Sequence, residues 1–255
     1  MAMRRHEFER MLAGDRPGAF LEWMRRSGEM RRFIPELEET CLTTQNRSHL
    51  DTVWEHTLDV VERVPRNRVV RMAALLHDIG KVKTKTVDDN GVAHFYGHEL
   101  VSAGMSDAIL KRLGYSNDVR RRVVALVANH MRAKDWGNDC SRMKDRALRK
   151  MEYGLGEGFY DWLALVAADN VSCVPEYRMP DQVPNILRRV EELEREGMNM
   201  FDYVLPLGDK EVMGALGIDS PVETRKCLAW LMKFAFNNPK VTREELLCYV
   251  RQYKR

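Results

Sequence analysis

The sequence predicts an all-α protein, a bundle of helices followed by a small helical C-terminal extension. Apolar residues recur at helical spacing along most of the 255 residues, and alternating strand patterns are scarce. The hydrophobic fraction of 44% is enough for a sizeable core. A proline-rich stretch at residues 175–184 interrupts the pattern. We therefore expect an N-terminal helical segment (1–34), a main helical domain (35–180) and the extension (181–255).

Helix start and stop residues, chiefly proline and glycine, place the individual elements. We expect helices at about residues 7–12, 17–24, 30–39, 52–64, 69–79, 98–113, 119–130, 162–169 and 185–196, and three more after residue 205. Asp89, Asn90 and Gly91 form a turn signal between two short β-prone pieces, which predicts a small hairpin or an active-site loop. The segment 135–150 is polar and basic.

The composition is that of an ordinary globular chain. The 41 basic and 38 acidic residues leave a formal net charge of +3, which permits a local basic patch without demanding a nucleic-acid partner. The five cysteines form no CxxC pair, so neither a disulfide framework nor a cysteine zinc site is expected. The charged start is unlike a secretory signal, and no apolar stretch approaches the roughly 18 residues of a membrane span. We expect a cytoplasmic protein with no membrane partner, and nothing specifies its oligomeric state.

One stretch, AALLHDIGK at residues 73–81, places a histidine and an aspartate at the inner end of an apolar helix. Other histidines and aspartates fall at inward positions of further helices. In chain order the series is His56, His77, Asp78, His98, His130 and Asp169. Imidazole nitrogens and carboxylate oxygens suit Zn, Fe, Mn, Co, Ni or Mg. A helical bundle can bring such side chains to one centre, so the series predicts a divalent metal site.

Each member of this series also has an ordinary structural explanation. A single histidine at the end of an apolar stripe is more often a core residue than a ligand, by about three to one. Asp169 is harder to explain in that way, because an unpaired buried carboxylate costs free energy or is forced neutral. A cation partner would remove that cost.

The series, with HDIGK at its centre, resembles the HD-domain phosphohydrolase superfamily. Flanking motifs are similar to the HD domain and tRNA-contacting tail of bacterial CCA-adding tRNA nucleotidyltransferases: PEL at 35–37, Gln45, His49, VWEHT at 53–57, YGHELVSAG at 96–104 and LPLGDKEVMGALGI at 205–218. The resemblance makes 35–180 an HD phosphohydrolase domain and 181–255 an RNA-contacting tail. The nucleotidyltransferase motifs GSxxxGT and DxD do not occur in this sequence. We therefore do not expect CCA addition from this chain, and expect it to lack the nucleotidyltransferase head.

The resemblance also implies roles for individual residues. One metal would be held by His56, His77, Asp78 and Asp169. His98 and His130 would be ligands of a second metal or phosphate contacts, and one of them, with an intrinsic pKa of about 6.5, could protonate the leaving oxygen. Lys81 would face the phosphate, although a plain surface lysine is an equally good interpretation. The candidate catalytic residues are Asp78, Lys81, His98 and His130, and the candidate substrate contacts are Lys81, Gln45 and His49.

The leading hypothesis is a metal-dependent phosphohydrolase acting on a nucleotide or an RNA end, as a phosphomonoesterase or a 2′,3′-cyclic phosphodiesterase. One alternative is an RNA-binding module with a structural metal, for which tRNA is the candidate partner. Basic runs at 120–122 and 142–150 could contact RNA phosphates, although such runs are more often solvated helix faces. A second alternative is a di-iron oxygenase, because some HD proteins use the same ligands for oxygen chemistry.

Overall fold

A computed structural model describes residues 3–46, 51–201 and 203–253. Helices dominate these ranges, which confirms the predicted all-α class. The α-helices are α1 Arg5–Leu12, α2 Pro17–Arg26, α3 Glu29–Phe33, α4 Val53–Arg63, α5 Arg68–Leu76, α6 Lys81–Thr84, α7 His98–Arg112, α8 Asn117–Asn129, α9 Asp145–Leu155, α10 Phe159–Val171, α11 Gln182–Arg195, α12 Asp209–Leu216, α13 Pro221–Ala235 and α14 Arg243–Val250. Short 3-10 helices occupy Pro35–Cys41, His130–Trp136, Gly156–Gly158 and Pro175–Tyr177. None of the described helices is long and apolar enough to cross a membrane.

The chain forms two compact units. The first comprises Met1–Ser141 and Gly158–Asn185, and the second comprises Arg142–Glu157 and Ile186–Arg255. Every residue of the predicted metal series lies in the first unit. The domain bounds expected from the sequence stay a prediction.

The core of the first unit is built around α5. Its residues from Val69 to Leu76 are all buried, so this helix is covered on every side rather than along one stripe. Helices α4, α8 and α10 pack against it. Trp162 of α10 donates its indole N–H to the Asn129 carbonyl at the end of α8, at 2.9 Å. Because each large buried side chain contributes about 1.5–3 kcal/mol, this packing holds the inner helix ends in place.

The helix that leads into the HD pair is shorter than the sequence predicts. It ends at Leu76, and residues 77–80 form turns before α6. Ile79 is buried, but it reaches the core from a turn, and apolar spacing does not distinguish that turn from another helical residue. The turn requires Gly80, because a Cβ there would lie 2.7 Å from the His98 carbonyl oxygen. The glycine thus allows α7 to approach the HD turn closely.

The predicted hairpin is present. Strands β1 (Thr86–Val87) and β2 (Ala93–His94) pair in antiparallel register, with Thr86 opposite His94. Gly91 occupies the connecting turn at a φ of 76°, which glycine adopts without strain. The chain leaves β2 and begins α7 four residues later, so the hairpin is directly joined to His98.

The second unit contains α9 and the three C-terminal helices α12, α13 and α14, which match the three predicted after residue 205. Helix α9 begins inside the segment that appears only polar and basic in the sequence. Its Leu148 and Met151 are nevertheless buried. A separate apolar cluster includes Val212, Leu231 and Leu246, so each C-terminal helix contributes to a common core.

Candidate metal centre

Six side chains of the predicted series come together in the first unit. His56 lies on α4, His98 begins α7 and Asp169 lies on α10, while His77 and His130 follow the last residues of α5 and α8 and Asp78 lies in the turn after His77. Each of these residues is at most 5% exposed. The structure therefore gathers imidazoles and carboxylates from five helices at one buried place.

The backbone fixes which nitrogen each histidine presents. In all four rings Nδ1 lies 2.7–2.9 Å from a backbone carbonyl oxygen. The pairs are His56 with Ser172, His77 with Ala74, His98 with Phe95 and His130 with Val127. A carbonyl oxygen only accepts, so Nδ1 carries the proton. In the neutral ring, Nε2 then directs a lone pair into the site, which is the form that binds a metal.

The four Nε2 atoms face one another in two pairs. They are 3.3 Å apart between His56 and His77, and 3.2 Å apart between His98 and His130. Two lone pairs at this distance repel each other unless a proton or a cation lies beside them. The centre therefore favours a bound positive charge.

Asp78 lies between the two histidine pairs. Its Oδ1 is 3.1 Å from Nε2 of His98, and its Oδ2 is 3.3 Å from Nε2 of His77. Oδ2 is enclosed and accepts no well-directed hydrogen bond from the described residues, although the Lys81 ammonium is 2.6 Å away. Asp78 would therefore help to hold a cation bound at this centre.

Two groups of ligand atoms could each hold a cation. The groups are His56, His77 and Asp169, and Asp78, His98 and His130. Within each group the ligand atoms all lie within 4.8 Å of one another. Imidazole nitrogen and carboxylate oxygen together suit Zn, Mn, Fe, Co and Ni. The donor set and the enclosed Oδ2 of Asp78 both fit a divalent metal.

Lys81 is part of this centre rather than of the surface. Only 7% of the residue is exposed, and Nζ lies 2.7 Å from Oε1 of Gln45 and 5.4 Å from the Phe95 ring centroid. Gln45 thus contacts the lysine that pairs with Asp78. His49, the third predicted substrate contact, lies outside the described residues.

A second lysine, Lys134, was not identified from the sequence. Its Nζ lies 2.9 Å from Oδ2 of Asp169 and 3.2 Å from Oδ1 of Asn170. Gln182, which is fully buried, accepts from Asn170 and donates to the Ala133 carbonyl. This network orients Lys134. The one indication in the sequence is its position four residues after His130.

Neighbouring lysines and imidazoles keep both carboxylates ionised. Burial raises the pKa of Asp78, but His77 and Lys81 lower it by more, so it lies well below its usual value. Burial likewise raises the pKa of Asp169, and Lys134 and His56 outweigh that effect. Burial lowers the pKa of His77, but the neighbouring Asp78 carboxylate raises it, and the pKa lies above its ordinary value. Burial lowers the pKa of His130, which favours the neutral ring. Ionised carboxylates are the form that binds metal.

The basic runs make contacts within the protein. Arg120 pairs with Asp107 at 2.7 Å, and Arg121 pairs with Asp118 at 3.2 Å. In the other run, Arg149 is buried and donates through Nε to a backbone carbonyl at 2.9 Å. These contacts account for several of the charges without RNA, and RNA contact by either run stays a prediction.

Comparison with known proteins gives the same family as the sequence motifs. Residues 47–161 match the HD domain family. The chain is 28% identical to the CC-adding tRNA nucleotidyltransferase of Thermus thermophilus over 252 residues. This alignment covers 96% of this chain and 55% of that protein. It is 36% identical over 104 residues to the A-adding tRNA nucleotidyltransferase of Deinococcus radiodurans, or 38% of this chain and 24% of that protein.

A Multifunctional CCA protein of Azoarcus sp. is 34% identical over 130 residues, which is 49% of this chain and 31% of that protein. The chain thus spans about half, or less, of the length of these relatives. The HD-family match over residues 47–161 includes the HD pair, His56, His98 and His130, and ends before Asp169. The chain therefore contains an HD domain, and over this region it is homologous to the CCA-adding tRNA nucleotidyltransferases.

Proposed function

We propose that the protein is a metal-dependent phosphohydrolase that acts on a nucleotide phosphate or on the phosphorylated end of an RNA. The observation that carries this proposal is the position of Asp78, between two facing pairs of imidazole Nε2 atoms. A divalent cation bound there would lower the pKa of water and offset the charge that develops on a phosphoryl oxygen. The names of the relatives support an RNA substrate, and tRNA is the first RNA to test.

The chain supplies two cations of its own for a phosphate group. Lys81 and Lys134 lie on different carboxylates, Asp78 and Asp169. About a quarter of the Lys134 side chain is exposed, whereas that of Lys81 is nearly enclosed. In the proposal, Lys134 meets the incoming phosphate, and Lys81 holds Asp78 ionised and in place.

His98 and His130 have two alternative roles that use the same atom. Nδ1 of each ring is bound to a backbone carbonyl, so only Nε2 is available for chemistry. As a neutral ring, either histidine could hold a second metal through Nε2; only after Nε2 has first taken up a proton could it deliver that proton to the leaving oxygen. The number of metals bound per chain decides between these roles.

The test is hydrolysis of 2′,3′-cyclic AMP, AMP and a short RNA with a 2′,3′-cyclic end, each with added Mg, Mn, Ni, Co, Zn or Fe. Wild-type protein should hydrolyse at least one of them with at least one metal, and Asp78→Asn should not. Asp118→Asn, at an exposed aspartate that pairs with Arg121, is the matched control and should keep full activity. A folded wild-type protein with no turnover under any of these conditions contradicts the proposal.

The position of Asp78 between the two histidine pairs would also suit a centre that holds two irons, so an oxygenase is the second candidate. Metal analysis of protein purified without chelators separates the two. Two irons per chain and oxygen consumption would support the oxygenase. An RNA-binding module with a structural metal predicts instead that salt-dependent tRNA binding survives Asp78→Ala while no substrate is turned over.

A further inference from the structure

An exposed aromatic residue lies two positions before a histidine of the metal centre. Tyr96 is 80% exposed, although large aromatic side chains are usually covered. It lies two residues before His98, so their Cα atoms are at most about 7 Å apart. The residue between Tyr96 and β2, Phe95, contacts the centre in two ways, through its carbonyl bound to His98 and its ring near Lys81.

A chain of hydrogen bonds holds this ring. The Tyr96 hydroxyl donates to Nδ1 of His94 at 3.2 Å, and Nε2 of His94 donates to Oδ2 of Asp88 at 3.0 Å. Oδ1 of Asp88 accepts the backbone N–H groups of Asn90 and Val92, at 3.0 and 2.9 Å. The turn of the hairpin thus fixes Asp88, Asp88 fixes the tautomer of His94, and His94 fixes Tyr96.

The two rings are also stacked. The centroids of His94 and Tyr96 are 5.3 Å apart, and the ring planes differ by 7°. One face of Tyr96 is therefore turned toward the imidazole, and most of the ring remains open to solvent. His94 falls in the segment whose turn signal predicts a hairpin or a loop, where a polar side chain is expected to face solvent. The structure shows it half-buried and bonded on both nitrogens.

We propose that Tyr96, held by His94 and Asp88, is a stacking platform for the nucleobase of the substrate. The site would then recognise a phosphate that carries a nucleoside and would discriminate against the same phosphate without a base. This inference rests on the proposed function for the phosphate at the metal centre. Stacking of one base on an aromatic ring changes affinity by roughly tenfold or more. A ring that is already fixed loses little side-chain freedom when the base binds.

The experiment measures equilibrium binding of AMP and of ribose 5-phosphate, in which a hydroxyl group replaces the base, to wild-type protein and variants freed of metal so that neither ligand is hydrolysed. Wild-type protein should bind AMP at least about tenfold more tightly than ribose 5-phosphate. Tyr96→Ala should abolish that difference by weakening AMP alone. Tyr96→Phe keeps the ring and should retain most of it. The control is Tyr177→Ala, at another exposed tyrosine, which should behave as wild type.

The outcomes separate this inference from the proposed function. Equal binding of AMP and ribose 5-phosphate by wild-type protein overturns the platform, and so does a Tyr96→Ala variant that weakens both ligands equally. Turnover assays on the same proteins test the phosphohydrolase by itself. Loss of AMP affinity in Tyr96→Ala without any turnover by wild type would support the platform and reject hydrolysis. The same binding measurement with a short RNA that has a 2′,3′-cyclic end and with 2′,3′-cyclic AMP shows whether the platform takes an RNA end or a free nucleotide. The ligand whose affinity falls more in Tyr96→Ala is the one that the platform binds.

Discussion

Two buried regions of this protein treat a carboxylate in opposite ways. In the first unit, the pKa of Asp78 lies well below its usual value even though burial raises it, because His77 and Lys81 surround it. In the second unit, burial raises the pKa of Glu152 to about 7. Arg149 lowers this pKa only in part, and its Nε donates to the Phe236 carbonyl.

Glu152 has few hydrogen bonds and no lysine or imidazole beside it among the contacts of the described residues. Oε2 accepts the Met200 N–H at 3.2 Å, and Oε1 accepts no hydrogen bond from the described residues. Burial with little compensation thus leaves a carboxyl that holds its proton up to a pH of about 7, whereas burial among lysines and imidazoles leaves an anion. The comparison teaches that the lysines and imidazoles of the first unit, rather than its burial, prepare the carboxylates for metal.

The largest effect is expected from Asp78→Asn. Metal-dependent turnover should fall by more than about 100-fold. Loss of a residue that only hydrogen-bonds to a metal ligand already costs about 10- to 100-fold. Without metal, the free energy of unfolding should also fall by about 3–5 kcal/mol, because the buried Lys81 ammonium loses its carboxylate. Urea unfolding and metal analysis measure both. An unchanged metal content in the folded variant would show that Asp78 is not a ligand.

His98→Ala tests whether each of the two ligand groups of the centre holds its own metal. If the two ligand groups hold one metal each, metal content should fall from two per chain to one, because the second group keeps only Asp78 and His130. Mass spectrometry under native conditions or elemental analysis gives the number. A wild-type protein that binds a single metal, unchanged in the variant, would assign His98 to phosphate contact or proton transfer instead.

Lys134→Met should have a smaller effect, about tenfold on kcat/KM, because it removes one cation and keeps the length of the side chain. We expect most of the change in KM for the phosphate substrate, since Lys134 is the more exposed lysine. Lys111→Met, at an exposed position of α7, is the control. Identical kinetics of the two variants would rule out a role for Lys134.

Glu152→Gln is the same carboxylate-to-amide change as Asp78→Asn. It should raise the free energy of unfolding rather than lower it, and its effect should be the smallest. The folded protein holds the proton up to a pH of about 7, while an unfolded glutamate releases it near 4.5, so wild-type stability falls as pH rises between these values. The variant should be more stable than wild type at pH 8, by about 2–3 kcal/mol, and should lose that advantage near pH 4. Parallel stability–pH curves for the two proteins would contradict this assignment.

Much of the fold and of the centre could be predicted because the relevant information is local. Helical spacing located His56, His130 and Asp169 on inward faces, and the turn residues located the hairpin. Lys134 and Glu152 could not be found in this way. The environment of Lys134 depends on Gln182, which is distant in sequence and joins it through Asn170. Glu152 occupies a helix of charged appearance whose burial depends on contacts with the rest of the second unit.

The four bonds between Nδ1 and backbone carbonyls have a consequence for the speed of metal loading. Three of the carbonyls, those of Ala74, Phe95 and Val127, lie three residues before the histidine they hold. The rings are therefore locked by their own stretch of backbone before any ion arrives. Fixing a free side chain at a binding site costs about 0.5–1.5 kcal/mol, and this cost is already met during folding. An incoming cation exchanges its hydration shell and displaces any proton held between the facing Nε2 atoms, without having to reorder the rings, so we expect metal capture to slow as the pH falls.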